Sequence, residues 1–335
     1  MSTLLRIEMK FLFGVMFLFM IIIQTNTVEG SSRPLVICPK TDSPPIIDGR
    51  LTDACWQKAT HISNFLSIKG DKFAAQQSEV FTCYDQENLY VAFKCNDSEM
   101  SKITAVKSVR DSDVWTDDCV DIFLDPDLSR RYFYQLIVNT LGTQQDINVT
   151  ETSDIKWNIK WQSKTFKNSD YWSVEIAIPF RQLGLKTPAV GDRWGVNFNR
   201  ESPRTPEYSG WVPTVQGFQT PTKFGDIVFT DTPGITVKIV SPSIDSAIVQ
   251  LNVYSPDSAA LIVEVNTSSA IGPKETTRQP IKSEEFGKTV EIPCGFIPCF
   301  VYNVIVKDSE GKKILYQSPS FPMTGKFGVQ IIQTP

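Results

Sequence analysis

The stretch VWTDDCVDIFLDPD, residues 114–127, sets five aspartates beside Trp115: Asp117, Asp118, Asp121, Asp125 and Asp127, with Asp113 just outside. Strand alternation puts Val120, Ile122 and Leu124 on one face and Asp121 and Asp125 on the other. The next predicted strand, YFYQLIVN (132–139), puts Gln135, Ile137 and Asn139 on one face and Tyr134, Leu136 and Val138 on the other. Paired, the two strands gather Asp121, Gln135 and Asn139 on a common face. Carboxylate and amide groups suit sugar hydroxyls, which both donate and accept hydrogen bonds. An indole at the strand mouth, Trp115, covers the apolar face of a pyranose ring. The same residues also describe a solvated sheet face with a rim tryptophan. In the binding reading Asp121 faces the ligand, while Asp117, Asp118, Asp125 and Asp127 are solvated or assist an ion.

Two other stretches have a chemical and a structural reading. In GWVPTVQGFQTPTKFGDIVF (210–229), Trp211 and Phe218 lie in a loop before a strand. Loop aromatics either bind ligands or cover a core edge. In IDGRLTDACWQKA (47–59), Asp48-Gly49 makes a tight turn and Asp53 caps a helical turn carrying Trp56. The alternative gives Asp48 or Asp53 to Ca²⁺, which takes several hard oxygen ligands. The single histidine, His61, is read as structural; it leaves no His-rich zinc site and makes Ser-His-Asp chemistry improbable. Phosphate-binding glycine loops are absent.

These residues sit on short strands at 8–12-residue spacing, the pattern of a β-sandwich. VFTCY (80–84) and LYVAFKC (89–95) flank a turn; CVDIFLD (119–125) and YFYQLIVN follow. KWQSKTF (160–166) pairs with YWSVEIAIP (171–179), and RWGVNFNRE (193–201) and KFGDIVF (223–229) complete the set. The only helical pieces are Asp53–Ala59 and Phe180–Leu185. All seven tryptophans lie between Trp56 and Trp211. Past Asp231–Gly234 the chain changes to ITVKIV, AIVQLNVY, ALIVEVN, KTVEI, FVYNVIV and KILYQS, the rhythm of an immunoglobulin- or fibronectin-like sandwich.

The ends and the charge bound the setting. Arg6 and Lys10 precede the apolar run 11–23, too short to span a bilayer at about 20 residues, so residues 1–30 read as a cleaved export signal. The chain has 335 residues, a net charge of −4 and no basic stripe, which disfavours nucleic acid as a partner. Seven cysteines fit an oxidising compartment, and the CGFIPC loop favours Cys294–Cys299 as a disulfide. The pairing of the other five is not legible.

The order IDGRLTDACWQKA, YDQENLYVAFKCND, VWTDDCVDIFLDPD, YFYQLIVN, YWSVEIAIP and KFGDIVF resembles the family 9 carbohydrate-binding modules over about residues 45–230. That resemblance implies a jelly-roll-like sandwich with bound Ca²⁺ and a sugar chain end held between two tryptophans. By position, Trp115 matches the first aromatic and Phe218, a smaller ring, the second. Asp121 stands where the family has a sugar-binding Glu, and Gln135 and Asn139 match polar residues of the site strand. The family's arginine there is replaced by Ile137, which removes up to five donors. Asp48, Asp53 and Asp97 are the candidate calcium ligands.

The expectation is therefore an all-β chain. A signal peptide (1–30) and an extended leader (31–45) precede a jelly-roll-like β-sandwich (46–231) and a smaller immunoglobulin-like sandwich (235–335). Its expected role is non-catalytic polysaccharide or oligosaccharide recognition by a secreted, periplasmic or cell-surface protein, with no membrane span once the signal is removed. Trp211 joins Trp115 and Phe218 as a candidate ligand contact. The second domain is expected to reach a cell-surface or enzyme partner. The competing readings are a structural or adhesion protein that keeps the fold without the sugar, and an accessory subunit of a polysaccharide-degrading system.

Overall fold

The computed structural model describes residues 33–243, 248–256, 260–268, 274–293 and 301–322. The export signal and the Cys294–Cys299 pair lie outside the described residues. Within them the chain is built from strands, with one five-residue helix, α1 (Ala54–Lys58), and a few 3₁₀ turns. The first half runs β1 (Leu35–Pro39), β2 (Thr60–Ile62), β3 (Leu66–Ser67), β4 (Ser78–Tyr84), β5 (Asn88–Asn96), β6 (Cys119–Asp125) and β7 (Phe133–Asn139). It continues with β8 (Gln144–Val149), β9 (Ser153–Asp154), β10 (Gln162–Lys167), β11 (Tyr171–Pro179), β12 (Arg193–Ser202), β13 (Glu207–Gly210) and β14 (Gly225–Thr230). The second half adds β15 (Thr236–Ser243), β16 (Ile248–Tyr254), β17 (Ala260–Ser268), β18 (Glu275–Lys282), β19 (Thr289–Pro293), β20 (Val301–Lys307), β21 (Ile314–Gln317) and β22 (Phe321–Pro322).

The strand pairs expected from the sequence form, β4 with β5, β6 with β7 and β10 with β11, and β12 pairs with β14 as well. Two sheets face each other. The larger runs β18-β17-β20-β21-β1-β14-β12-β6-β7-β8-β9, and the smaller β10-β11-β5-β4-β2-β15-β16-β19. Each sheet therefore contains strands from both halves. In the large sheet the seam is β1, parallel to β14 and antiparallel to β21. The stretch expected as a leader thus contains a central strand, and all five of its residues are buried. In the small sheet the seam is one bridge, His61 to Thr236.

One face of β6, β7 and β12 closes the main core with Val120, Ile122, Leu124, Leu136, Val138, Val196 and Phe198. Burying each such side chain stabilises the fold by about 1.5–3 kcal/mol. The opposite face carries Cys119, Asp121, Phe123, Gln135, Ile137, Asn139, Asn197, Asn199 and Glu201. It is this face that the sequence marks for function.

Candidate functional site

Of the acidic stretch only Asp127 is exposed, as expected; the other four aspartates are neither solvated nor an ion cage. Asp117, Asp118, Asp121 and Asp125 are all at most 1% exposed. Asp117 Oδ2 accepts from the backbone N–H groups of Val106 (3.0 Å) and Lys107 (2.9 Å) and from Asn139 Nδ2 (2.8 Å). Asp118 accepts from the Thr104 N–H (2.8 Å) and the Ser202 hydroxyl (2.8 Å). Asp125 accepts from the N–H groups of Ser129 (2.9 Å) and Arg130 (2.8 Å). Loops carry backbone donors with no ladder partner, and a buried donor left unpaired costs about 1–3 kcal/mol. A carboxylate satisfies several at once with charge-assisted bonds. The aspartates of this strand are anchors for the loops at its two ends.

Asn139 belongs to the same clamp. Its Nδ2 donates to the Lys107 carbonyl and to Asp117, and its Oδ1 accepts from the N–H groups of Leu141 and Thr143. Asn139 is 0% exposed, so it fixes the β7–β8 turn and presents nothing to a ligand. Gln135 is also engaged: Nε2 donates to Asp121 Oδ1 (2.8 Å), and Oε1 accepts from Gln219 Nε2 (2.8 Å). Alternation placed Asp121 and Gln135 together correctly. It did not anticipate that the loop carrying Phe218 and Gln219 folds over them.

Glu201 is the member of this face that the reading of the sequence missed. It lies opposite Cys119 on β6, and Asn199 lies opposite Asp121. Its signal was the polar alternation Asn197, Asn199, Glu201 within RWGVNFNRE. Donor atoms of Cys119, Asp121 and Glu201 lie within 4.8 Å of one another, all buried, and form the one such cluster among the described residues. Burial raises the pKa of both carboxyls; each is further set by the other, and Gln135 opposes the rise at Asp121. Two buried carboxyls this close do not both ionise, so the pair shares a proton at neutral pH. A thiol among the donors does not suit a hard cation such as Ca²⁺.

The aromatic candidates separate. Trp115, in the 3₁₀ turn Val114–Thr116, is 48% exposed, while its neighbour Val114 packs against Cys119 and Ile137. Trp211 is 0% exposed and belongs to the main core, against Phe198 at 6.2 Å between centroids. Gly225 explains how it fits: a Cβ there would lie 2.6 Å from the indole. Phe218 is 9% exposed and packs with Phe123, Phe133 and Phe224 in a satellite cluster. The expectation that Trp211 and Phe218 offer their rings to a ligand is therefore corrected. Both are drawn inward because the loop has a large apolar surface to cover.

The calcium candidates do not form a cage. Asp48 accepts from the Arg50 N–H (2.9 Å) and is exposed. Asp53 accepts from the Ile46 N–H (3.2 Å), and its side chain does not cap α1. Asp97 is buried between two arginines, with Arg200 Nη2 at 2.8 Å and Arg204 also in contact. Two guanidiniums on one carboxylate oppose a dication there. The turn at Asp48-Gly49 is instead held by Glu175, whose carboxylate accepts from the N–H groups of Asp48, Gly49 and Leu51 and from Trp56 Nε1.

Residues 47–232 match the family model described as "Carbohydrate family 9 binding domain-like". That is more than half of the chain, and the protein belongs to this family. The chain is similar to a family 9 carbohydrate-binding module from Caldicellulosiruptor kristjanssonii solved with cellotriose. The identity is 21% over 59% of this chain and 94% of that one, with a TM-score of 0.44. A family 9 module from the same organism solved with glucose gives 20% identity over 58% of this chain and 95% of that one, TM-score 0.45. A Bacteroides uniformis structure gives 16% over 59% and 100%, TM-score 0.49. These likenesses carry no functional argument, and no curated protein matches the sequence significantly. Among the described residues no helix is long and apolar enough to cross a membrane.

Proposed function

We propose that this is an exported, non-catalytic carbohydrate-recognition protein that contacts sugar through the surface around Trp115. The observation that carries the reading is the exposure of Trp115, 48%, in a protein whose other six tryptophans are buried or half-buried. An exposed indole on a rigid turn is a platform for the C–H face of a sugar ring. Val106 and Leu141, 71% and 52% exposed, extend it. The Asp117–Asn139 clamp holds both of their backbones at the same end of the sheet. Asp113 and Thr116, exposed beside the ring, supply polar groups. The site is one aromatic platform rather than a two-ring slot, and Asn139, bound to Asp117, Lys107 and Leu141, braces the loops around it.

Catalysis is not expected. Glycoside hydrolysis needs two carboxyls with room for the glycosidic bond between them, and Asp121 and Glu201 are in mutual contact under a covering loop. The second reading, a scaffold that keeps the family fold without the sugar, is favoured by the burial of Phe218 and Trp211.

A glycan panel that includes cellotriose tests both. The full chain is expected to bind, Trp115→Ala to weaken binding by at least tenfold with unchanged melting, and Tyr254→Ala, another exposed aromatic, to bind normally. Chelator is expected to leave binding unchanged, because Asp48, Asp53 and Asp97 do not converge. No binding by folded protein supports the scaffold.

A further inference from the structure

Five cysteines fall among the described residues, all buried and unlinked: Cys38, Cys55, Cys83, Cys95 and Cys119. Three are separated by their packing. Cys38 and Cys95 lie in the main core, and Cys119 lies with Val114 and Ile137. Cys55 and Cys83 differ. Both belong to one small apolar cluster with Trp56, Ala59, Tyr90, Ala92 and Ala177 on the outer side of the small sheet. Cys55 is the second residue of α1, and α1 packs on β4, which carries Cys83. The neighbouring Cys55 thiol, followed by burial, holds the Cys83 thiol well above its usual range.

We propose that Cys55 and Cys83 form a disulfide when the chain folds in an oxidising compartment, fastening α1 to β4. The chemistry is two thiol–disulfide exchanges with a donor disulfide, such as oxidised glutathione or an oxidoreductase. The thiolate of one cysteine attacks the donor, forms a mixed disulfide and expels one donor thiolate. The second cysteine attacks that mixed disulfide and expels the other. The protein loses two electrons and two protons, and the donor gains them as two thiols. Because the thiolate is the nucleophile and the buried thiol resists ionising, the bond forms during folding, before the cluster closes. The loop it closes spans 28 positions, long enough for the cross-link to restrict the unfolded chain substantially.

The test is oxidative refolding of the full chain in a glutathione redox buffer, followed by non-reducing peptide mapping of every cysteine. A peptide pair joining Cys55 to Cys83 is expected. Its reduction should lower the melting temperature by roughly 5–10 °C. Cys55→Ala should show no such reductant-sensitive shift from this bond. Oxidation of protein folded in the reduced state should be much slower than oxidation during refolding. Free Cys55 and Cys83 after oxidative refolding, or either joined to another cysteine, overturns the proposal. Mapping the unaltered chain decides this even if the variant fails to fold. Failure of sugar binding leaves this result untouched, since the peptide map reads the bond directly.

Discussion

At the scale of single residues, the acidic strand separates what a sequence shows from what it hides. Alternation showed that Asp121 and Gln135 share a face. It could not show that Asp117, Asp118 and Asp125 turn their charge onto loop N–H groups, because those partners lie 4–14 positions away in irregular chain. Trp115 and Trp211 read alike in the sequence, yet one is a rim residue and the other core. Trp211→Ala should cost about 3–5 kcal/mol, measured by denaturant unfolding, whereas Trp115→Ala should cost under about 1 kcal/mol. The Asp121–Glu201 pair gives a pH signature. Both carboxyls are raised in the fold, so the native state keeps protons that the unfolded chain releases above pH about 4. Their contribution therefore weakens as pH rises from that point until both native groups have ionised. Melting temperature is expected to fall as pH is raised through neutrality, and Glu201→Gln, which imitates the protonated acid, to flatten the decline. A decline of equal slope in that variant would place its origin elsewhere.

At the scale of elements, carboxylates recur as loop fasteners: Asp117 and Asp118 for residues 104–107, Glu175 for the 48–51 turn, Glu207 for residues 75–76. Replacing Asp117 by Ala removes the acceptor of three donors and should destabilise by roughly 3 kcal/mol. It should also speed hydrogen exchange at residues 106, 107 and 141 before the sheets open, and a uniform effect across the sheets would contradict the fastening role. The strands legible in the sequence were those with one apolar face. β18 was missed because it is an edge strand, polar along most of its length and carrying Pro280. β3, β9 and β13 are too short to show a period.

At the scale of the molecule, the β-strand make-up was legible, but the sequence divides the chain into two sandwiches whereas each sheet draws strands from both halves. Each half has its own composition, but β1 lies between β14 and β21, and no local pattern announces a partner nearly 300 positions away. A shared seam predicts one cooperative unfolding transition for residues 34–322, seen by calorimetry. Val36→Asp, which puts a charge at a fully buried seam position, should lower stability in both halves together. Two separable transitions in the unaltered protein would contradict this. The central claim is that a family 9 fold presents sugar with one exposed ring on a surface buttressed by buried acids. The most direct measurement is glycan binding by the full chain compared with Trp115→Ala, each with its melting curve. The account predicts binding that the substitution weakens by at least tenfold while the melting curve stays in place. Binding left at full strength by the loss of Trp115 would contradict it.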